Sequence, residues 1–171
     1  MSPALLIYTA TLAGGLTQSV APAEHVEYTA RASAGSGVSL AGADGKTLAA
    51  RSPTFLVMEA GLRLDNLAWL ELNGGLMLEV EGRVSVGVVP RVRAYLPTRR
   101  LKLYGLAGAP FVVYPFTLFG AQGGMGLQFD VHKHVGVLVE FVGTGFFGGS
   151  DLMAGSALGK LDAVAGVRLA F

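Results

Sequence analysis

The chain has 171 residues, of which 51% are hydrophobic and 15% charged, with a formal net charge of +1. That length fits one domain, the charge balance gives no electrostatic case for nucleic acid, and the lack of cysteine excludes disulfides and thiolate metal sites. What is left is an apolar chain with 25 glycines whose charges recur inside its apolar stretches, where a helical membrane protein would confine them between apolar runs of about 20 residues.

Residues 1–23 read as a signal peptide or N-terminal leader. Ala4-Leu5-Leu6-Ile7 opens an apolar stretch that runs to Leu16, and Ala21-Pro22-Ala23 has the small-x-small form of a cleavage site. No Lys or Arg precedes Arg31, so the usual basic start is missing. The alternative is a structured N-terminal strand or plug. Residues 24–171 form the remaining unit.

From His25 the residues alternate. Val26, Tyr28, Ala30, Ala32 and Ala34 lie on one face, and Glu27, Thr29, Arg31, Ser33 and Gly35 on the other. Residues 35–53 are rich in turn formers and read as a long loop. Leu56, Met58, Ala60, Leu62 and Leu64 then alternate with Val57, Glu59, Gly61, Arg63 and Asp65, and Asp65-Asn66 makes a tight turn. The clearest stretch follows. Leu70, Leu72, Gly74, Leu76, Leu78 and Val80 oppose Glu71, Asn73, Gly75, Met77, Glu79 and Glu81; beyond Gly82-Arg83, Val84, Val86, Val88, Pro90, Val92 and Ala94 oppose Ser85, Gly87, Val89, Arg91, Arg93 and Tyr95. Alternation of this length predicts two strands with one apolar and one polar face. Each suits a tilted strand crossing a bilayer, which needs about 9–11 residues.

Residues 97–100 make the next short turn. Residues 103–129 carry no charge, but Pro110, Pro115 and several glycines oppose a helix. Two strands joined near residues 114–120 fit better. In the first, both parities are apolar and the facing stays open; in the second, Gly123, Met125, Leu127 and Phe129 oppose Gln122, Gly124, Gly126, Gln128 and Asp130. His132-Lys133-His134 is a turn. Val135, Val137, Val139 and Phe141 oppose Leu138 and Glu140, residues 146–159 read as a loop, and Leu161 to Phe171 alternate with Lys160, Asp162, Gly166 and Arg168.

These segments make about eight strands with alternately short and long connections, which predicts an all-β, eight-stranded antiparallel up-and-down transmembrane barrel. With both chain ends periplasmic, the short turns share that side. Aromatic residues fall near both strand ends, as lipid interfaces select: Tyr28, Trp69, Tyr95, Tyr104, Phe129 and Phe171 near one, and Phe55, Phe111, Tyr114, Phe116, Phe119, Phe146 and Phe147 near the other. Trp69 and Tyr95 have inward parity. A soluble lipocalin-like barrel is the fold-level rival, with its apolar faces inside.

The chain resembles the small bacterial outer-membrane β-barrel superfamily, of the outer membrane protein A, OmpX and OmpW type, over residues 25–171. Its sharpest motif is terminal: Phe171 preceded by Leu169, Val167 and Ala165 at alternate positions, similar to the signal that the barrel-assembly machinery recognises. The resemblance implies a bacterial outer-membrane location, outer-membrane lipid as solvent, and that machinery as a partner during biogenesis, with Val167, Leu169 and Phe171 as the assembly signal.

The interior face carries Arg31, Glu59, Arg63, Glu71, Glu79, Arg91, Arg93, Asp130, Glu140, Asp162 and Arg168. Eight strands enclose only enough room for side chains, and buried charges need partners, so a lumen network of Arg31, Glu59, Arg63, Glu71, Arg91, Arg93, Glu140 and Arg168 is expected rather than a pore. Glu71 and Arg93, nearly opposite across the hairpin, are expected to pair. No catalytic, cofactor or metal constellation stands out. His132 and His134 lack a third ligand, and Gly143-Thr144-Gly145-Phe146-Phe147-Gly148 matches a nucleotide-binding pattern without its helix. A lipid-modifying enzyme would need its histidine at the outer end, where His25, His132 and His134 do not map. Uncharged residues 114–119 and Phe146-Phe147 suggest an extracellular apolar mouth at Phe116, Phe119 and Phe147 for a protein partner or apolar ligand. Two functions stay open: a structural or interaction barrel with a salt-bridged interior, or a small channel for hydrophobic molecules, as the OmpW resemblance implies.

Overall fold

The computed structural model describes residues 26–43, 46–96, 101–152 and 156–171; the leader read at residues 1–23 and the turn at 97–100 lie outside them. Nine strands follow in order: β1 Val26–Ala43, β2 Lys46–Leu64, β3 Leu70–Glu79, β4 Ser85–Tyr95, β5 Leu101–Gly108, β6 Phe111–Tyr114, β7 Leu118–His132, β8 Val135–Gly149 and β9 Ala157–Ala170. A 3-10 turn, Asp65–Leu67, links β2 to β3.

Every pairing is antiparallel, and the order β3-β2-β1-β9-β8-β7-β5-β4 closes on itself through β3 and β4. β6 continues the line of β5 between β4 and β7, so nine segments make a ring of eight strands. The break falls at Ala109-Pro110, where proline cannot donate to a ladder; Gly120 instead donates to the Pro110 carbonyl at 3.2 Å.

The sidedness is inverted relative to a soluble barrel. Along β4, Ser85, Gly87, Val89, Arg91, Arg93 and Tyr95 are buried, while Val86, Val88, Pro90, Val92 and Ala94 are exposed. Met58, Leu76 and Phe141 are 68%, 61% and 64% exposed, whereas Glu71 and Glu140 are 0%. Apolar side chains on the outside of a closed barrel fit hydrocarbon as solvent, and closure leaves no backbone edge unpaired within the wall.

Two loops expected from the sequence are mostly strand. Residues 35–43 and 46–53 belong to β1 and β2, whose ladder runs from Val26↔Leu64 to Ala43↔Lys46, with a bulge between Gly35 and Gly37 that absorbs the extra residue near Pro53. Gly and Ser here occupy ladder positions rather than turns. Likewise β8 runs on to Gly149 and β9 starts at Ala157, shortening the loop read at 146–159.

Candidate functional site

The lumen is filled in layers by inward residues of all the barrel strands. At the end where β1 starts and β9 finishes, fully buried Glu71 is the hub. Arg31 donates to it through Nη2 at 2.9 Å and Nε at 3.1 Å, Arg63 through Nη2 at 2.8 Å, Thr29 at 3.2 Å and the Tyr95 hydroxyl at 3.0 Å. Arg168 stands 3.9 Å away and pairs with Glu27 at 2.6 Å. Lys102 and Asp130 pair at 2.7 Å nearer the rim.

The next layer is a square of four charges. Arg93 reaches Glu59 at 2.7 Å and Glu140 at 3.0 Å; Arg91 reaches Glu59 at 3.1 Å and Glu140 at 3.9 Å. The Tyr104 hydroxyl donates to Glu140 at 2.8 Å. Each carboxylate faces two guanidinium groups and each guanidinium two carboxylates, which is the condition for burying charge at tolerable cost.

All eight residues of the expected network therefore line one lumen, but the Glu71–Arg93 pair does not form. The two are register partners across β3 and β4, yet Glu71 turns to Arg31 and Arg63 while Arg93 turns to Glu59 and Glu140. The Asn73 amide sits between them, within 2.9 Å of Glu71 and 3.1 Å of Arg93, and in the orientation that satisfies both it donates to the carboxylate and accepts from the guanidinium. Long side chains here lean over the neighbouring strand instead of meeting their opposite number. Glycine makes the room: Gly75 is the register partner of Glu59 and Gly108 of Arg91. A Cβ on Gly75 would lie 2.8 Å from Glu59 Cγ, and one on Gly108 2.9 Å from Arg91 Cγ.

Towards the other end the filling turns apolar. Phe55, Val57, Val142 and Val164 belong to a buried apolar cluster that also takes in Leu106 and, beside the charged layers, the Tyr95 and Tyr104 rings. Above them Val112, Leu118 and Phe146 form a second cluster, packed by Phe116, Leu152 and Leu158. Lys160 bridges to Glu79 beside it. An internal cavity between the clusters, lined by residues including Met77, Arg91, Gln122 and Asp162, measures about 20 Å³, the room of about one water.

Several aromatics expected at lipid interfaces are inside. Tyr95, Tyr104, Phe55 and Phe146 are all less than 10% exposed. The two tyrosine rings lie 5.0 Å apart, and the Arg63 guanidinium covers Tyr95 at 4.5 Å. One signal was available: Tyr95 has inward parity, and Tyr104 on β5 is its register partner, so both share a face. Trp69 goes the other way and is 53% exposed, because the turn after Asp65–Leu67 breaks the parity.

The apolar mouth is not a single patch. Phe119 and Phe147 point outward, edge to face at 5.4 Å, on the outer wall with Phe111 and Tyr114. Phe116 folds over the lumen, with the Arg83 guanidinium 4.6 Å above its ring and Arg83 also 3.6 Å from Asp151. Phe119 and Phe147 lie on β7 and β8, whereas Phe116 precedes β7 in the connection from β6. Val167 and Leu169 lie on the outer face of β9 and Phe171 follows it, 47%, 42% and 72% exposed. The His132 and His134 rings stand 5.9 Å apart at the end where β9 finishes, and His134 Nδ1 is 3.0 Å from the Ala170 carbonyl. Among the described residues no group of three metal-ligating side chains occurs.

No protein-family model matches the chain, and no curated protein does. Solved structures do. The chain is similar to Neisserial surface protein A, at 15% identity and a TM-score of 0.58, over 84% of this chain and 97% of that one. It is similar to the N-terminal β-barrel domain of Pseudomonas aeruginosa OprF, at 13% identity and a TM-score of 0.59, over 86% and 99%. The fold is thus that of the small eight-stranded bacterial outer-membrane barrels, and the inverted sidedness agrees with it.

Proposed function

We propose that this chain is an integral bacterial outer-membrane protein whose lumen is a structural plug, and whose work is done by contacts at its extracellular end. The observation that carries the reading is the filling of the lumen. Two charge layers with Glu71 and Glu140 wholly buried lie beneath two apolar clusters, and the cavity between the clusters is only about 20 Å³. That packing favours a closed barrel over a channel for hydrophobic molecules. With the chain ends periplasmic, the far ends of β1 and β2 and the Arg83–Phe116 contact stand outside the cell. The alternate apolar residues Val167, Leu169 and Phe171 suit delivery by the barrel-assembly machinery. Swelling of proteoliposomes in small sugars and amino acids tests the reading. The protein should swell vesicles no faster than protein-free controls, and rapid swelling would favour the transporter instead.

A further inference from the structure

Three strands meet at the end where β9 finishes. β7 and β8 are joined there by a two-residue loop, Lys133-His134, closed by the register pair His132↔Val135. The loop is fixed to β9 at two points. The Ala170 N–H donates to the His134 carbonyl at 2.9 Å, and His134 Nδ1 stands 3.0 Å from the Ala170 carbonyl. A carbonyl oxygen only accepts, so Nδ1 is the nitrogen that carries hydrogen. In the neutral ring that leaves the Nε2 lone pair for a ligand. A histidine whose other ring nitrogen is held by a carbonyl is the usual state of a metal-ligating histidine.

His132 supplies a second imidazole. The two rings stand 5.9 Å apart, centre to centre, inclined at 44°, and both side chains are exposed. A metal–nitrogen bond of about 2.0–2.1 Å, with about 1.1 Å more from nitrogen to ring centre, lets two imidazoles on one ion stand up to about 6.4 Å apart. The observed spacing lies inside that limit, and exposed rings can close further by rotating. Among the described residues no third side chain joins them. Asp130, two positions before His132, is already held by Lys102 at 2.7 Å and by Gln128 at 2.6 Å. Two protein ligands do not make a closed structural zinc site; they make an open one, completed by water. Imidazole suits copper, nickel and zinc, and the Irving–Williams order puts Cu(II) first.

We infer that the β7–β8 turn is a two-histidine clamp for a divalent transition-metal ion, Cu(II) ahead of Ni(II) and Zn(II). His134 ligates through Nε2, His132 through one ring nitrogen, and water fills the remaining positions. The Ala170 carbonyl sets the tautomer of His134 before the metal arrives. The inference holds whichever end of the barrel faces the periplasm.

The probe is Cu(II), titrated into the untagged, folded full chain in detergent, in a non-chelating buffer at neutral pH, and read by electron paramagnetic resonance. One equivalent should bind saturably, and electron spin-echo modulation should show the remote nitrogens of two coordinated imidazoles. His132→Ala and His134→Ala should each leave one imidazole and weaken Cu(II) by at least about tenfold, the low end of what losing even a ligand's outer partner costs. Both positions are exposed in a turn, so heat-modifiable gel mobility should stay that of the folded barrel. His25→Ala removes the third histidine of the chain and should change neither the affinity nor the imidazole count. No saturable Cu(II) binding, a single imidazole in the unsubstituted protein, indifference to His132→Ala or His134→Ala, or loss of the signal with His25→Ala would each overturn the inference.

Discussion

The two ends of the lumen are filled by opposite means. Around Glu71, Glu59, Arg93 and Glu140 the side chains are charged and hold one another through bonds of about 2.7–3.1 Å. Around Val112, Leu118 and Phe146 they are mostly hydrocarbon, with Phe116 and Leu152 packed on them and the Glu79–Lys160 pair alongside. The charged layers lie level with the outward apolar band, where no water reaches from the sides, and each ion there depends on its partners. The apolar layers lie towards the opposite end, where they exclude water from the ions below. Charge fixes which strands stand together, and hydrocarbon shuts the mouth.

Breaking the charged layer should cost most. Glu71→Ala leaves Arg31, Arg63 and Arg168 around an empty hub, and the expected loss is about 3–5 kcal/mol. Glu71→Gln should lose less, since the amide oxygen still accepts. Urea unfolding of the vesicle-inserted protein reads both, and an unmoved midpoint for Glu71→Ala would break the comparison.

The apolar layer should be costly but local. Phe146→Ala removes a ring that is 4% exposed, at about 3 kcal/mol. A double-mutant cycle with Glu71→Gln should be additive within about 0.5 kcal/mol, as for separate sites. Strong coupling would merge the two layers into one.

Smallest and sharpest is a pair of glycines. A Cβ on inward Gly126 would lie 2.5 Å from the Tyr104 ring, whereas one on outward Gly105 meets nothing within 4 Å. Gly126→Ala should destabilise by about 1–3 kcal/mol through overpacking. Gly105→Ala should be neutral or stabilise by up to about 1 kcal/mol, because it only restricts the unfolded chain. Equal effects would mean that the two faces are not different solvents.

These contrasts also separate what was legible in the sequence from what was not. The facing of β3 and β4 was legible because lipid demands hydrocarbon at every second residue while the lumen admits Glu71, Arg91 and Arg93. The partner of each charge was not, because Arg93 bypasses its register neighbour Glu71 and reaches Glu59 and Glu140 by leaning across the strands; alternation gives a side chain's face but not its tilt. The β1–β2 extension was missed because Gly35, Gly37, Gly42 and Pro53 read as loop residues, although Asp44-Gly45 between Val38-Leu40 and Leu48 is itself a hairpin signal. Tyr104 and Leu106 were ambiguous because an apolar layer inside the lumen makes both faces of β5 hydrophobic. The division of Phe116 from Phe119 and Phe147 turns on where β7 begins, which residue type alone does not set.

The central claim is the sidedness: hydrocarbon solvates the outer wall, the charges lie within, and the start of β2, beyond its last pairing with β3, stands clear of the bilayer. Single cysteines at Leu76, Phe141 and Leu48 carrying a bimane label, in vesicles of brominated phospholipid, test it directly. Labels at Leu76 and Phe141 should be strongly quenched by the lipid and shielded from aqueous iodide, while the label at Leu48 should be quenched by iodide and ignore the lipid. Iodide quenching at Leu76 and Phe141, with no effect of brominated lipid, would contradict the account.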